Sequence, residues 1–97
     1  MPKSKKYVVI RTQNAGVFAG ELESYKAGES VLTNARRLWY WSGAASLSQM
    51  ANSGTSQPDK CKFPAPVSRI VLPQTIEVIE ATEAARKSIE SVAEWKA

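Results

Sequence analysis

Ala35-Arg-Arg-Leu-Trp-Tyr-Trp-Ser-Gly-Ala-Ala-Ser-Leu-Ser-Gln-Met-Ala51 is the stretch around which we expect the rest of the chain to be organised. It combines two arginines, three consecutive aromatic residues, a small-residue turn and the start of a short helix. Residues 36–41 are typical of a strand, in which side chains alternate between two faces. The alternation places Arg36, Leu38 and Tyr40 on one face, and Arg37, Trp39 and Trp41 on the other. Because both faces are bulky and partly apolar, we predict a central strand covered on both sides.

The flanking sequence predicts further strands. β-Branched and aromatic residues between turn residues are typical of strands, and they occur at 7–12, 17–25, 30–34, 67–72 and 75–80. A bulge at Asn34-Ala35 is expected to separate the strand at 30–34 from the strand at 36–41.

Two helices complete the predicted fold. The first covers residues 44–52, and Thr82 is placed to cap the second, whose apolar stripe is Ala85, Ile89 and Val92. We therefore predict an α+β fold: a small antiparallel β-sheet or partial barrel of about five to six strands, with a central short helix and a C-terminal helix. Residues 7–97 are expected to form one domain, after a basic, flexible N-terminus at residues 1–6.

Composition excludes several classes of function. The chain has 97 residues, no histidine and one cysteine. Without histidine, the commonest general base is absent, and the usual His/Cys zinc site cannot form. We therefore predict a protein that is not an enzyme, with no metal site and no cofactor. No run of about eighteen apolar residues is present, so a soluble, cytoplasmic protein is expected.

The net charge of +4 is unevenly distributed. Residues 1–6 carry three lysines, residues 7–76 carry seven basic and four acidic side chains, and residues 77–97 carry three basic and five acidic ones. The three segments therefore contribute +3, +3 and −2. This small central surplus favours a site for a compact anion over a surface for a long duplex.

The opening stretch also has the chemistry of a nucleotide site. Arginine forks bind phosphate oxygens, aromatic rings stack on bases, and a small-residue turn before a helix offers backbone N–H groups and hydroxyls. The predicted ligand-binding residues are Arg11, Arg36 and Arg37 for phosphates, Trp39, Tyr40 or Trp41 for stacking, and Ser42, Ser46 and Gln49 for hydrogen bonds. Strand alternation means that part of this set belongs to the core. The Ser42-Gly43 turn and the helix start are the preferred positions for backbone contacts to an anion.

Simpler structural interpretations exist for these and other residues. Aromatic residues at strand spacing belong more often to a core than to a ligand site. Glu77, Glu80 and Glu83 are interpreted as solvated acids, and Cys61 as an ordinary small residue that lacks a base partner. Trp95 is expected either to clamp the tail to the body of the domain or to pack on a neighbouring subunit.

The run through the tryptophans resembles a family of small proteins of tailed bacteriophages. The resemblance covers nearly the whole chain, with support from Arg11-Thr12, Ala15-Gly-Val17, Cys61-Lys-Phe63, Thr82-Glu-Ala-Ala85 and Trp95-Lys96. The chain also looks like the phage anti-CBASS sponge proteins, which form homotetramers and sequester cyclic dinucleotides such as 3′3′-cGAMP without cleaving them. That second resemblance implies a cyclic nucleotide ligand and a homo-oligomer, either a dimer or a tetramer, but it carries over no binding position.

The leading expectation is a phage immune-evasion protein that sequesters a cyclic nucleotide signal in the cytoplasm of the infected bacterial host. The main alternative is a structural or protein-interaction module with Trp39, Trp41 and Trp95 at an oligomer interface. Weak binding of single-stranded nucleic acid uses the same stacking chemistry but requires a longer basic groove. Neither a membrane nor a long nucleic acid is an expected partner.

Overall fold

Residues 6–96 are described by the computed structural model, in which five strands form one antiparallel sheet. The strands are β1 (Tyr7–Thr12), β2 (Val17–Lys26), β3 (Glu29–Arg37), β4 (Val67–Leu72) and β5 (Thr75–Glu80), and the helices are α1 (Leu47–Ser53) and α2 (Glu83–Ser91). The predicted α+β class is therefore confirmed. The prediction of a flexible N-terminus at residues 1–6 falls, apart from Lys6, outside the described residues.

The sheet is open and curls until its two edges meet at one end. Its strand order is β4-β3-β2-β1-β5, so β4 and β5 lie at opposite edges although only Pro73 and Gln74 separate them in the chain. The backbone N–H of Thr75 donates to the carbonyl of Gly28 at 2.8 Å. The buried hydroxyls of Ser30 and Thr75 are also hydrogen-bonded, at 2.8 Å. These contacts join the β4–β5 connection to the start of β3.

The strand covered on both faces is β1. Tyr7 and Val9 belong to a core shared with the helices, whereas Val8 and Ile10 belong to a second core. All buried members of the second core come from strands: Val8, Ile10, Phe18, Leu32, Ala35 and Leu72. The curl of the sheet therefore encloses the second core, and the helices cover the first. The successive apolar residues of β1 therefore point alternately into the first core and the second core.

The predicted separate strand at 36–41 is wrong. One strand, β3, continues through Asn34, which has a φ of 48° at an irregularity in the β2–β3 pairing, and it ends at Arg37. The backbone N–H of Leu38 donates to the carbonyl of Val17 at 2.8 Å. Since Val17 is the first residue of β2, the partner strand ends at this point and β3 cannot be extended.

Side-chain caps determine where both helices begin. Ser46 Oγ accepts from the backbone N–H of Gln49 at 3.2 Å, so α1 begins at Leu47, three residues later than predicted. Thr82 caps α2 as predicted, with its Oγ1 accepting from the backbone N–H of Ala85 at 3.0 Å. The predicted stripe of α2 is confirmed, because all three of its residues are buried: Ala85, Ile89 and Val92.

The turn at Gly43 should tolerate no side chain. Gly43 has a φ of 85°, and a Cβ atom there would lie 2.6 Å from the backbone nitrogen of Gln57. Gly28 has a similar φ of 80° but open space around it. We expect Gly28→Ala to reduce the free energy of unfolding by about 1–2 kcal/mol, through backbone strain alone. Gly43→Ala should reduce the free energy of unfolding by at least about 1 kcal/mol more than Gly28→Ala does, because the added Cβ atom also overpacks the turn. Urea denaturation of the two variants measures the difference, and equal losses would show that the close approach has no energetic weight.

Candidate functional site

Arg36 is buried in the domain, where its guanidinium contacts the backbone. It is 5% exposed, and its guanidinium donates to the carbonyls of Pro64 at 3.0 Å, Ile89 at 3.0 Å and Phe63 at 3.1 Å. Desolvation lowers the pKa of Arg36, while Tyr7 and Glu94 act in the opposite direction. Three of its five N–H groups are thus engaged by backbone carbonyls. Arg36 therefore joins the end of α2 to the 63–64 segment.

Arg37 is exposed, but it supports the β1–β2 turn. Its Nη1 donates to the carbonyl of Ala15 at 2.6 Å, and the guanidinium carbon lies 4.4 Å from the centre of the Phe18 ring. The structure therefore separates the two neighbouring arginines, with Arg36 against the helix side and Arg37 over a ring of the second core.

The predicted polar residues after the aromatic run mainly hold their own turn together. Ser42 Oγ donates to Oε1 of Gln57 at 3.0 Å. Ser46 is the cap of α1, and the Gln49 side chain accepts from the backbone N–H of Ala45 at 3.0 Å. Ser46 and Gln49 thus have partners at the helix start, whereas Ser42 joins the turn to Gln57 in the loop after α1.

Three exposed aromatic rings and a lysine form a cluster that we name the aromatic platform: Trp39, Tyr40, Lys62 and Trp95. The Trp39 and Trp95 rings are stacked, with centroids 5.0 Å apart and an interplanar angle of 10°. Lys62 Nζ lies 5.4 Å, 5.8 Å and 5.7 Å from the centroids of Trp39, Tyr40 and Trp95. Trp95 therefore clamps the tail to the body of the domain, one of its two predicted roles. Lys62 was not among the predicted ligand-binding residues, because no spacing pattern in the sequence connects it to the aromatic run.

Trp41 is not part of the aromatic platform and lines a surface pocket of about 320 Å³. This Arg11 pocket is lined by Arg11, Val17, Trp41, Leu47, Ser48, Glu77 and Ile79. Its apolar members Val17, Trp41, Leu47 and Ile79 are partly buried and pack against the first core. The pocket therefore brings together two of the predicted residues, Arg11 and Trp41. The predicted oligomer interface through Trp39, Trp41 and Trp95 is divided, because Trp41 lines the pocket while the other two tryptophans stack.

An ion pair forms the polar side of the Arg11 pocket. Arg11 Nε donates to Oε1 of Glu77 at 2.8 Å, and the two side chains are 50% and 45% exposed. The bond uses one guanidinium nitrogen and one carboxylate oxygen, so donors and an acceptor remain side by side for a ligand. Sequence reasoning interpreted Glu77 as a solvated acid. Only the β1–β5 pairing, in which Arg11 is opposite Glu77, places it beside Arg11.

The chemistry of the Arg11 pocket suits a nucleobase better than a phosphate. The Glu77 carboxylate repels a phosphate placed against it, whereas adjacent donors and acceptors match the polar edge of a base. The Trp41 ring and the aliphatic side chains of Val17, Leu47 and Ile79 supply apolar surface for the base.

Comparison with known families places the whole pocket inside the range of one family match. Residues 5–89 match a family described as a domain of unknown function, DUF6948. The chain belongs to the DUF6948 family. The DUF6948 match contains every residue of the Arg11 pocket and ends before Trp95 of the platform. No curated protein and no solved structure matches the chain. The family description names no virus and no ligand.

The described part of this DUF6948 chain has neither a metal-binding cluster nor a membrane-spanning helix. Within residues 6–96, no three His, Cys, Asp or Glu side chains lie close enough together to hold a metal ion. None of the helices in the same range has the length and apolar character needed to span a membrane.

A second pocket of about 300 Å³ lies at the start of β1, whereas the Arg11 pocket lies at its end. It is lined by Tyr7, Asn34, Arg36, Pro66 and Glu90. The Arg86 guanidinium lies 4.9 Å from the centre of the Tyr7 ring and donates to Glu21 at 2.8 Å. That hydrogen bond is the main cause of a lowered pKa at Glu21 and a raised pKa at Arg86. These contacts hold α2 on the sheet.

Burial of Tyr7 predicts a loss of stability at alkaline pH. Desolvation, with a smaller effect from Glu90, raises the pKa of Tyr7 from 10.0 to about 12. Above pH 10 the unfolded chain loses this proton while the folded chain retains it, so the free energy of unfolding falls between pH 10 and pH 12. The expected loss is up to about 2 kcal/mol. Denaturation of wild type and Tyr7→Phe across this range measures it, and equal slopes for the two proteins would contradict the prediction.

Proposed function

We propose that this DUF6948 protein is a non-enzymatic phage immune-evasion protein that binds and sequesters a cyclic nucleotide signal, blocking CBASS-type signalling in the cytoplasm of the infected host. The observation that supports it most is the Arg11 pocket, where the Arg11–Glu77 pair lies beside the Trp41 ring. The phage setting and the class of signal come from the sequence resemblance. The base-binding chemistry comes from the pocket.

The ion pair is the part of the pocket that recognises a base. The terminal nitrogens of Arg11 donate to a ring nitrogen or carbonyl oxygen of the base, and the free oxygen of Glu77 accepts from a neighbouring N–H. Every base has an acceptor next to a donor on its Watson–Crick edge, so this pair recognises bases as a class. Guanine offers one donor more than the others, which favours it at this position.

The size of the pocket indicates that it holds only part of the ligand. Its volume of about 320 Å³ lies at the lower end of the usual range for ligand pockets, about 300–1,000 Å³. One base therefore enters, and the phosphates of a cyclic ligand remain near the surface. A second subunit would cover them and exclude water, which is why we include a homo-oligomer, either a dimer or a tetramer, in the proposal.

The groups that the pocket offers support sequestration without cleavage. Among residues 6–96, Glu77 is the only carboxylate that lines it, and Glu77 is paired with a guanidinium. That pairing engages one carboxylate oxygen and holds the side chain in place. The chain also has no histidine.

A calorimetric titration tests the proposal. Purified protein is titrated with a panel of cyclic mono-, di- and trinucleotides, and the best ligand is recovered after prolonged incubation and examined by mass spectrometry. We expect submicromolar binding of at least one cyclic nucleotide and its recovery intact. Absence of heat with every nucleotide, or recovery of a linear product, would overturn the proposal.

A further inference from the structure

We infer that the aromatic platform is a second, separate binding site, which takes a short segment of single-stranded nucleic acid. Trp39, Tyr40 and Trp95 are 57%, 52% and 40% exposed. Exposed rings of this size are unusual on a small domain and mark interaction surfaces when they cluster. None of these three residues lines the Arg11 pocket, and the inference does not depend on the proposed cyclic nucleotide.

Backbone pairing holds the platform rigid before any ligand arrives. Tyr40 and Lys62 form an antiparallel bridge, in which the N–H of Lys62 donates to the carbonyl of Tyr40 at 2.7 Å. The N–H of Trp95 donates to the carbonyl of Phe63 at 3.0 Å, which fixes the tail beside this bridge. Because the rings are already positioned by the backbone and by the Trp39–Trp95 stack, a base that stacks on them loses little free energy in ordering the protein.

Lysines supply the charge that a phosphate backbone needs. Lys62 Nζ lies within 5.8 Å of all three ring centroids, so its ammonium is close to any base stacked there. Lys60 and Lys96 are exposed and flank the platform along the chain. Rings for stacking combined with ammonium groups for phosphates are the features of surfaces that bind single strands without sequence preference.

The same lysines argue against a protein partner. The cores of protein–protein interfaces are depleted in lysine, whereas Lys62 lies in the middle of this ring cluster. Double-stranded nucleic acid is also disfavoured, since its bases are stacked on one another and cannot lie on the rings. The platform contains three rings, so the bound segment is short.

Fluorescence titration with oligothymidine of about eight nucleotides tests this inference. We expect binding that weakens with salt, and Trp39→Ala should weaken it by at least about tenfold while Trp39→Phe retains most of it. Lys62→Gln should weaken it and reduce the salt dependence. Matched controls are Tyr25→Ala, which removes an exposed ring elsewhere, and Lys26→Gln, which removes an exposed lysine beside it. Neither control should change the affinity.

Several results would overturn the inference. The first is that the wild-type protein does not bind oligothymidine. The second is that Trp39→Ala binds it with wild-type affinity, and the third is that Tyr25→Ala loses as much affinity as Trp39→Ala. Sedimentation velocity of the free protein tests the competing class of partner: self-association lost in Trp39→Ala, without oligothymidine binding, would assign the platform to a protein interface. Trp39→Ala should leave cyclic nucleotide binding unchanged, because Trp39 does not line the Arg11 pocket, so failure here is distinguishable from failure of the cyclic nucleotide proposal.

Discussion

Replacement of Arg36 by methionine is expected to reduce the free energy of unfolding by at least about 3 kcal/mol. The methionine retains most of the apolar volume but removes the donors to the carbonyls of Pro64, Ile89 and Phe63. Hydrogen bonds to charged groups contribute about 1.5–3 kcal/mol each, and three are lost at once. The carbonyls of Ile89 and Phe63 keep backbone donors from Val92 and Trp95, so the Pro64 carbonyl is the most affected of the three. For a domain of 97 residues this is a large share of the total stability.

Arg37→Met is the matched control for this prediction. Arg37 is the next residue along the chain, but it is exposed and donates to one carbonyl, that of Ala15. Its replacement should reduce the free energy of unfolding by about 1 kcal/mol. Urea denaturation of both variants gives the comparison. If Arg36→Met were as stable as Arg37→Met but lost ligand affinity, Arg36 would face a ligand instead of the backbone.

Local patterns in the sequence predicted most of the secondary structure. The strands at 67–72 and 75–80 have the same bounds in the structure, and Thr82 begins the C-terminal helix as its capping hydroxyl indicated. Alternation, turn residues and caps act over a few residues, so a single sequence contains the information for them.

The strand predicted at 36–41 failed because its length depends on a distant partner. Residues 38–41 have strand-forming side chains, but β2 begins at Val17. Beyond the bond that the Leu38 N–H donates to Val17, no described strand lies beside β3 on that side. The strand that is covered on both faces is β1, and not the predicted strand at 36–41. The end of a strand is decided by pairing between distant segments, which alternation within one segment does not reveal.

The candidate site was only partly predictable for a similar reason. Arg11 and Trp41 were singled out by residue type, yet their meeting with Glu77 requires β1, β5 and the segment before α1 to converge. Arg36 was interpreted as a phosphate ligand because a guanidinium fork binds phosphate oxygens and backbone carbonyls with the same donors. Residue chemistry alone cannot distinguish these two uses; burial does.

The largest effect on function is expected at Arg11. Arg11→Gln removes the charge and most of the donors that face a bound base, and it leaves Glu77 unpaired beside the ligand. Hydrogen bonds to charged groups contribute about 1.5–3 kcal/mol, so affinity for the cyclic nucleotide should fall by at least about tenfold. Stability should change little, because an exposed ion pair contributes at most about 1 kcal/mol. Trp41→Leu should weaken binding as well, through loss of stacking.

The most direct measurement is therefore a calorimetric comparison of Arg11→Gln with Arg69→Gln, using the best cyclic nucleotide for the wild-type protein. Arg69 forms a comparable pair with Glu23 at 3.0 Å, with side chains 55% and 35% exposed, but it lies outside the Arg11 pocket. Both variants lose one arginine charge and one exposed cross-strand pair. We predict an affinity loss of at least about tenfold in Arg11→Gln and wild-type affinity in Arg69→Gln. Equal affinities in the two variants would contradict the assignment of the ligand to the Arg11 pocket.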